Sequence, residues 1–263
     1  SVCMRLSAQL CFTLALLSCQ STGPSWKKGP AQESGRLQYW PEPGIEHAVT
    51  EKSAEMVLFS DWLAVSLFPG YDIGPVRVVF YKDHQSYARF RPGSVDSLAH
   101  FHMRTAIVHL PVDIAEEGWR HEFVHAVLHA RFKDYPFWMQ EGAALLLQSA
   151  DRKRPLCGAP LQLPEGLRGF RSRLLQRRLP LPVNRDAELR RKGIYEETAL
   201  AGYFAYFLWQ RRLFIHLVKK AADSEQDSFL ILLGGDYKLL KRMEEDFYEW
   251  LSSPLALRPS TGC

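Results

Sequence analysis

Residues 121–125 read His-Glu-Phe-Val-His. On an α-helix, positions four apart stand about 40° apart around the axis and about 6 Å apart along it, so His121 and His125 can turn both imidazoles onto one metal ion. Glu122 falls roughly 80° from their bisector, within reach of a water held by that ion. The opposite face carries Trp119, Phe123, Val127 and Ala130, apolar side chains suited to a core. One helix therefore offers a wet face and a dry one. This is the HExxH arrangement, in which two histidines hold zinc and the glutamate acts as base toward water. In a chain with nine histidines the pattern can arise by chance. A third ligand is what gives it weight.

That ligand is offered downstream. Asp134-Tyr135-Pro136 breaks the helix, and Phe137-Trp138-Met139-Gln140-Glu141-Gly142-Ala143-Ala144 starts the next. If the break turns the chain back, the second helix lies antiparallel to the first and Glu141 faces His121 and His125. Three protein ligands then leave the fourth zinc position open, as catalytic sites require. The small residues Gly142 and Ala143 are expected to let these two helices approach closely.

The elements that position these residues follow from pattern. Residues 49–67 carry apolar side chains at mixed helical spacing and end at Pro69-Gly70. Val76 to Tyr81 is β-branched and aromatic and reads as a buried strand. Asp83 caps a short helix to Phe90. Residues 98–102 and 105–110 read as two short strands with a turn at Met103-Arg104. Helices are expected over 113–132, from Pro136 to about Ser149, over 194–222 and over 237–252, with Gly234-Gly235 separating the last two. Residues 151–192 read as irregular. In the 194–222 helix, Leu200, Tyr203, Phe204, Phe207 and Leu208 repeat at helical spacing and must face the core. Strands first and helices afterwards make the fold class α+β.

At His121, Glu122, His125 and Glu141 the chain resembles the gluzincin metallopeptidases, which pair HExxH with a glutamate on the next helix. Trp138 to Ala144, with Trp before the glutamate and Gly-Ala after it, looks like the small bacterial peptidase-like branch of that superfamily. The similarity spans roughly residues 76–252. It implies a zincin-like domain, with a small mixed sheet over the active-site helix followed by a helical C-terminal part. The edge strand, expected at Thr105 to Leu110, would hold a peptide substrate by strand addition. Zn2+ would sit on His121, His125 and Glu141, with Glu122 as catalytic base. Tyr195 matches the position of a tyrosine near the developing oxyanion, with Tyr203 as the fallback. The chain departs from thermolysin-like patterns at Leu145, where a carboxylate would otherwise orient a ligand histidine. The function implied is zinc-dependent peptide hydrolysis; the alternative is a catalytically silent zincin-fold lipoprotein that acts as a binding or scaffold protein.

Other residues have plainer readings. His129 continues the i+4 series but stands about 12 Å along the axis from His121, too far to share its metal. His100, His102 and His109 read as structural strand histidines. The basic residues Arg168, Arg171, Arg173, Arg177, Arg178, Arg190, Arg191 and Lys192 read as a solvated face. A formal net charge of +4 with no aromatic-interleaved basic motif argues against nucleic acid as a partner. The five cysteines contain no CxxC pair, which argues against a thiolate zinc site, and a Cys157–Cys263 bridge is left open and not favoured.

Met4-Arg5 followed by the uncharged, mostly apolar run Leu6 to Leu17 reads as an export signal. Leu16-Leu17-Ser18-Cys19 resembles a bacterial lipoprotein cleavage box, with an ordinary secretory signal as the alternative. The expected organisation is a signal peptide over 1–19 cleaved before Cys19, a flexible tether over 20–45, and a peptidase domain over 46–263. It implies an exported monomer in the cell envelope, held to a membrane by lipid on Cys19.

Overall fold

In the computed structural model, which describes residues 24–90, 98–184 and 195–261, the chain forms a mixed five-stranded sheet with helices packed against it, an α+β fold. The centre is β3 (Val76–Tyr81), buried except at Arg77. It runs parallel to β2 (Leu37–Pro41) on one side and β5 (Ile107–Pro111) on the other. β1 (Gln32–Ser34) closes one edge against β2, and β4 (His100–His102) closes the other against β5, both antiparallel.

Two expectations are corrected here. Residues 24–45 are not a tether, because β1 and β2 belong to the sheet and Leu37 is fully buried. Their composition suits a linker, but Leu37 and Tyr39 point to the same face and enter the core, with β2 bonded along β3 from Leu37↔Val76 to Pro41↔Phe80. The edge strand is β4, not residues 105–110. The turn after His102 folds β4 back over β5, which therefore becomes internal. The proposed signal peptide and Cys19 lie outside the described residues. Among the described residues, no helix is long and apolar enough to cross a membrane.

Helix α1 (Glu46–Leu67) buries Met56, Phe59 and Leu63. Asp83 caps α2 (His84–Phe90) as expected, its Oδ1 accepting the Ser86 N–H at 2.7 Å. Helix α3 (Glu116–Arg131) begins three residues later than expected. The carbonyls of Val112 and Ile114 are instead held in a loop by the Lys52 ammonium, each at 2.7 Å. Phe59 meets Trp119 edge-on at 5.4 Å, and Trp119 meets Phe123 at 5.2 Å. Such pairs add about 0.5–1.5 kcal/mol each beyond simple burial. Trp119, Phe123 and Val127 form the dry face of α3 as expected, while Ala130 is exposed and does not join it. Arg120 lies over Phe59 and Trp119 and donates to Ala150 O at 3.3 Å, which ties α1, α3 and the end of α4 (Phe137–Leu147) together.

The rest of the chain is largely helical: α5 (Arg171–Arg177), α6 (Tyr195–Gln210), α7 (Phe214–Ser224), α8 (Phe229–Leu232) and α9 (Tyr237–Ser252). The helix expected over 194–222 is two helices. Arg212 takes φ 60°, its N–H bonds Trp209 O and the Leu213 N–H bonds Leu208 O, which closes α6 in the manner that glycine usually provides. Leu200, Tyr203, Phe204, Phe207 and Leu208 are buried as their spacing requires. Gly142 is also corrected. A Cβ there would stand 2.6 Å from Ala205 Cβ and 2.9 Å from Ala201 O, so its smallness serves the approach of α4 to α6 and not to α3.

Within the basic run, Arg171 donates to Leu251 O at 2.7 Å and Ser253 O at 2.8 Å, which satisfies the end of α9. Arg173 and Arg178 lie over Phe170 and Tyr248. These arginines therefore contribute to packing and capping instead of forming a purely solvated face, while residues 190–192 lie outside the described residues. Cys157 is disulfide-bonded; Cys3, Cys11, Cys19 and Cys263 are outside the described residues.

Candidate metal centre

Helix α3 places His121 and His125 one turn apart, and the connection ending at Pro136 returns α4 so that Glu141 faces both. Gln140, next to Glu141, fixes this turn by donating its amide to Tyr135 O at 2.7 Å. The Nε2 atoms of His121 and His125 lie 3.2 Å apart. Glu141 reaches His121 Nε2 with Oε2 at 3.6 Å and His125 Nε2 with Oε1 at 3.5 Å. Zinc bonds of about 2.0–2.1 Å in a tetrahedron place ligand atoms about 3.3 Å apart. The three donors thus already stand at nearly the spacing that zinc demands, and their types suit it. Among the described residues they are the one group of at least three His, Cys, Asp or Glu side chains whose donor atoms converge in this way.

Glu122 is directed by the sheet edge. Its Oε2 accepts the Phe101 backbone N–H at 2.6 Å, so the outward face of β4 holds the carboxylate beside the histidines. Burial, then the negative charge of Glu141, push the Glu122 carboxyl up to about 7 against the opposing effects of His121 and the Phe101 N–H. For His121, burial disfavours the charged ring. The hydrogen bond to Glu141, the charges of Glu122 and Glu141, and the contact with Gln148 outweigh it and raise the pKa to about 9. His125, which is also buried, lies beside a charged His121 and drops to about 4, despite Glu141. Burial acts to raise Glu141, but the two histidines hold it below the usual carboxylate range.

Two contributors had no reading in the sequence. Phe101 acts through its backbone, which carries no residue signature. Gln148 Oε1 lies 3.1 Å from His121 Nδ1 and supplies the orienting contact that Leu145 does not. A signal for it existed: Gln148 stands seven residues after Glu141, within about 20° on the same helical face.

Tyr195 is the first residue of α6, and its side chain lies outside what the structure describes. Tyr203 is fully buried and donates to Leu167 O at 3.3 Å, so it is a core residue. His129 does not join the three donors, as its distance requires, and is buried against Phe101 with ring centroids 5.2 Å apart. His100 and His109 stack at 5.0 Å, and their Nδ1 atoms meet Tyr87 and Tyr81 hydroxyls at 2.8 and 2.9 Å. His102 Nδ1 lies 2.8 Å from Thr105 Oγ1. No protein-family profile matches the chain, and no curated protein matches it.

Proposed function

We propose that the chain is a zinc-dependent peptidase with a zincin-type architecture, His121, His125 and Glu141 as ligands and Glu122 as general base. The observation that carries this reading is the 3.2–3.6 Å spacing of three zinc-type donors from two helices. Beside them, a partly buried glutamate is held by an edge strand. Zinc, when bound, supplies a Lewis acid that lowers the pKa of water and polarises the scissile carbonyl.

The protein's own groups do the rest. A peptide lies along β4, where the Phe101 carbonyl points outward with its N–H by strand geometry and can accept a substrate amide. Phe101 fixes one Glu122 oxygen, and the other takes a proton from the attacking water and later delivers it to the leaving amine. In the metal-free protein burial already pushes this carboxyl up to about 7, in the direction that suits a group which must both take and return a proton. Tyr195 is the proposed donor to the oxyanion. The proposal includes export and a lipid anchor at Cys19, which rest on the leader sequence.

The test is the metal content of the purified protein beside its His125→Ala variant. About one zinc per chain, lost in the variant, supports the site. No zinc in the wild type after reconstitution overturns the reading. Zinc bound without hydrolysis of any peptide leaves the silent scaffold as the better account.

A further inference from the structure

Ala126, His129 and Ala130 continue along α3 from His125 at helical spacing, and together with Lys133 in the turn that follows, the turn at Met103–Ala106 and residues 73–77 they line a cavity of about 600 Å³. Its charges have one sign: Arg77, Arg104 and Lys133 line it, and no carboxylate does. Among the described residues none of the three cations is in an ion pair. The nearby Asp134 is outside the lining.

The buried polar group on the wall is His129, 8% exposed, whose Nδ1 has no hydrogen-bond partner among the described residues. Buried polar atoms are nearly always paired, so an unpaired one on a residue that lines a cationic cavity points to a missing partner. The place of the cavity matters as much as its charge. Phe101 packs its ring on His129 while its N–H holds Glu122. One edge-strand residue therefore separates the cavity from the base, and His129 lies about 6 Å along α3 from His125. A strand advances about 3.3 Å per residue, so a peptide on β4 would bring a group one or two residues from the scissile bond over the cavity.

We propose that this cavity binds a carboxylate of the substrate, so that the peptides cleaved are those with a negative charge within two residues of the scissile bond. The carboxylate is either an Asp or Glu side chain or the free C-terminus. Arg104 and Lys133 supply charge-assisted hydrogen bonds, and His129 lies on the wall. The inference rests on the peptidase reading for its substrate but not for its anion site.

Two measurements separate these. Glutarate, titrated calorimetrically into the zinc-loaded protein, should bind, and an Arg104→Ala/Lys133→Ala variant should weaken it about tenfold or more. Unchanged affinity in the variant would mean that glutarate sits elsewhere and would overturn the site. In a peptide library paired as Glu against Gln and as free acid against C-terminal amide, the wild type should favour the charged member about tenfold in kcat/KM. The variant should bring that ratio near one. Preference in the first pairing identifies a side-chain carboxylate, and in the second a chain terminus. Equal cleavage of charged and neutral members overturns the inference. Glutarate binding that the variant abolishes, with no peptide cleaved, would sustain the anion site and reject the peptidase reading.

Discussion

His121 Nδ1 and Gln148 Oε1 stand 3.1 Å apart across the packed pair α3 and α4. An amide oxygen can only accept, so His121 carries its hydrogen on Nδ1 and, when neutral, turns the Nε2 lone pair toward His125 and Glu141. The segment that brings Glu141 to the candidate site thus also sets the tautomer of His121.

Gln148→Ala should weaken zinc binding about 10- to 100-fold, measured by competition with a chromophoric chelator, while the far-ultraviolet circular dichroism stays native. Gln148→Glu restores an acceptor for Nδ1–H and should recover the affinity. Equal losses in both variants would assign Gln148 to packing and not to positioning His121.

Glu122 touches the reacting water in the proposed reaction but is no ligand. Glu122→Gln should keep about one zinc per chain and lower kcat by about 10²- to 10⁴-fold, with KM little changed. Turnover near that of the wild type would remove Glu122 from the mechanism.

The convergence of His121, His125 and Glu141 was legible because helix geometry ties spacing to direction: positions 121, 122 and 125 need only their own turn, and Glu141 needs one reversal at Pro136. What could not be read depends on contacts distant in sequence. Leu37 enters the sheet because β3 is there to receive it, and nothing in a Gly- and Pro-flanked stretch announces that. The edge position of β4 depends on a turn folding it over β5. The end of α6 was hidden because Arg212, and not a glycine, adopts the positive φ.

Gly142 shows the same dependence from the packing side. A methyl carbon on its Cα would meet Ala205 Cβ at 2.6 Å and the Ala201 carbonyl oxygen at 2.9 Å, so even the smallest side chain cannot fit without moving α4 from α6. Gly142→Ala should destabilise the protein by about 1–3 kcal/mol, the usual range for overpacking. Because Glu141 is its neighbour, zinc affinity should fall as well. Denaturant unfolding of the metal-free and zinc-loaded forms reads both effects, and a midpoint equal to that of the wild type would show that the two helices separate freely.

Zinc binding should release a proton, and the pKa pattern identifies its source. In the metal-free protein His125 is depressed to about 4 and Glu141 lies below the usual carboxylate range, so at pH 8 both are already deprotonated. Glu122, near 7, is mostly ionised there. His121, raised to about 9 chiefly by its carboxylate neighbours against burial, still holds its proton. A metal can take its Nε2 only after that proton leaves. Calorimetric titrations at pH 8 in buffers of different ionisation enthalpy should therefore give about one proton per zinc from His121, in addition to what the zinc-bound water releases. The apparent affinity should fall at least about tenfold for each pH unit below 9 and depend less steeply on pH above it, because His121 is then already neutral. No proton release at pH 8 would mean that His121 is neutral in the metal-free protein, and that Glu141 does not hold a charged imidazole at this centre.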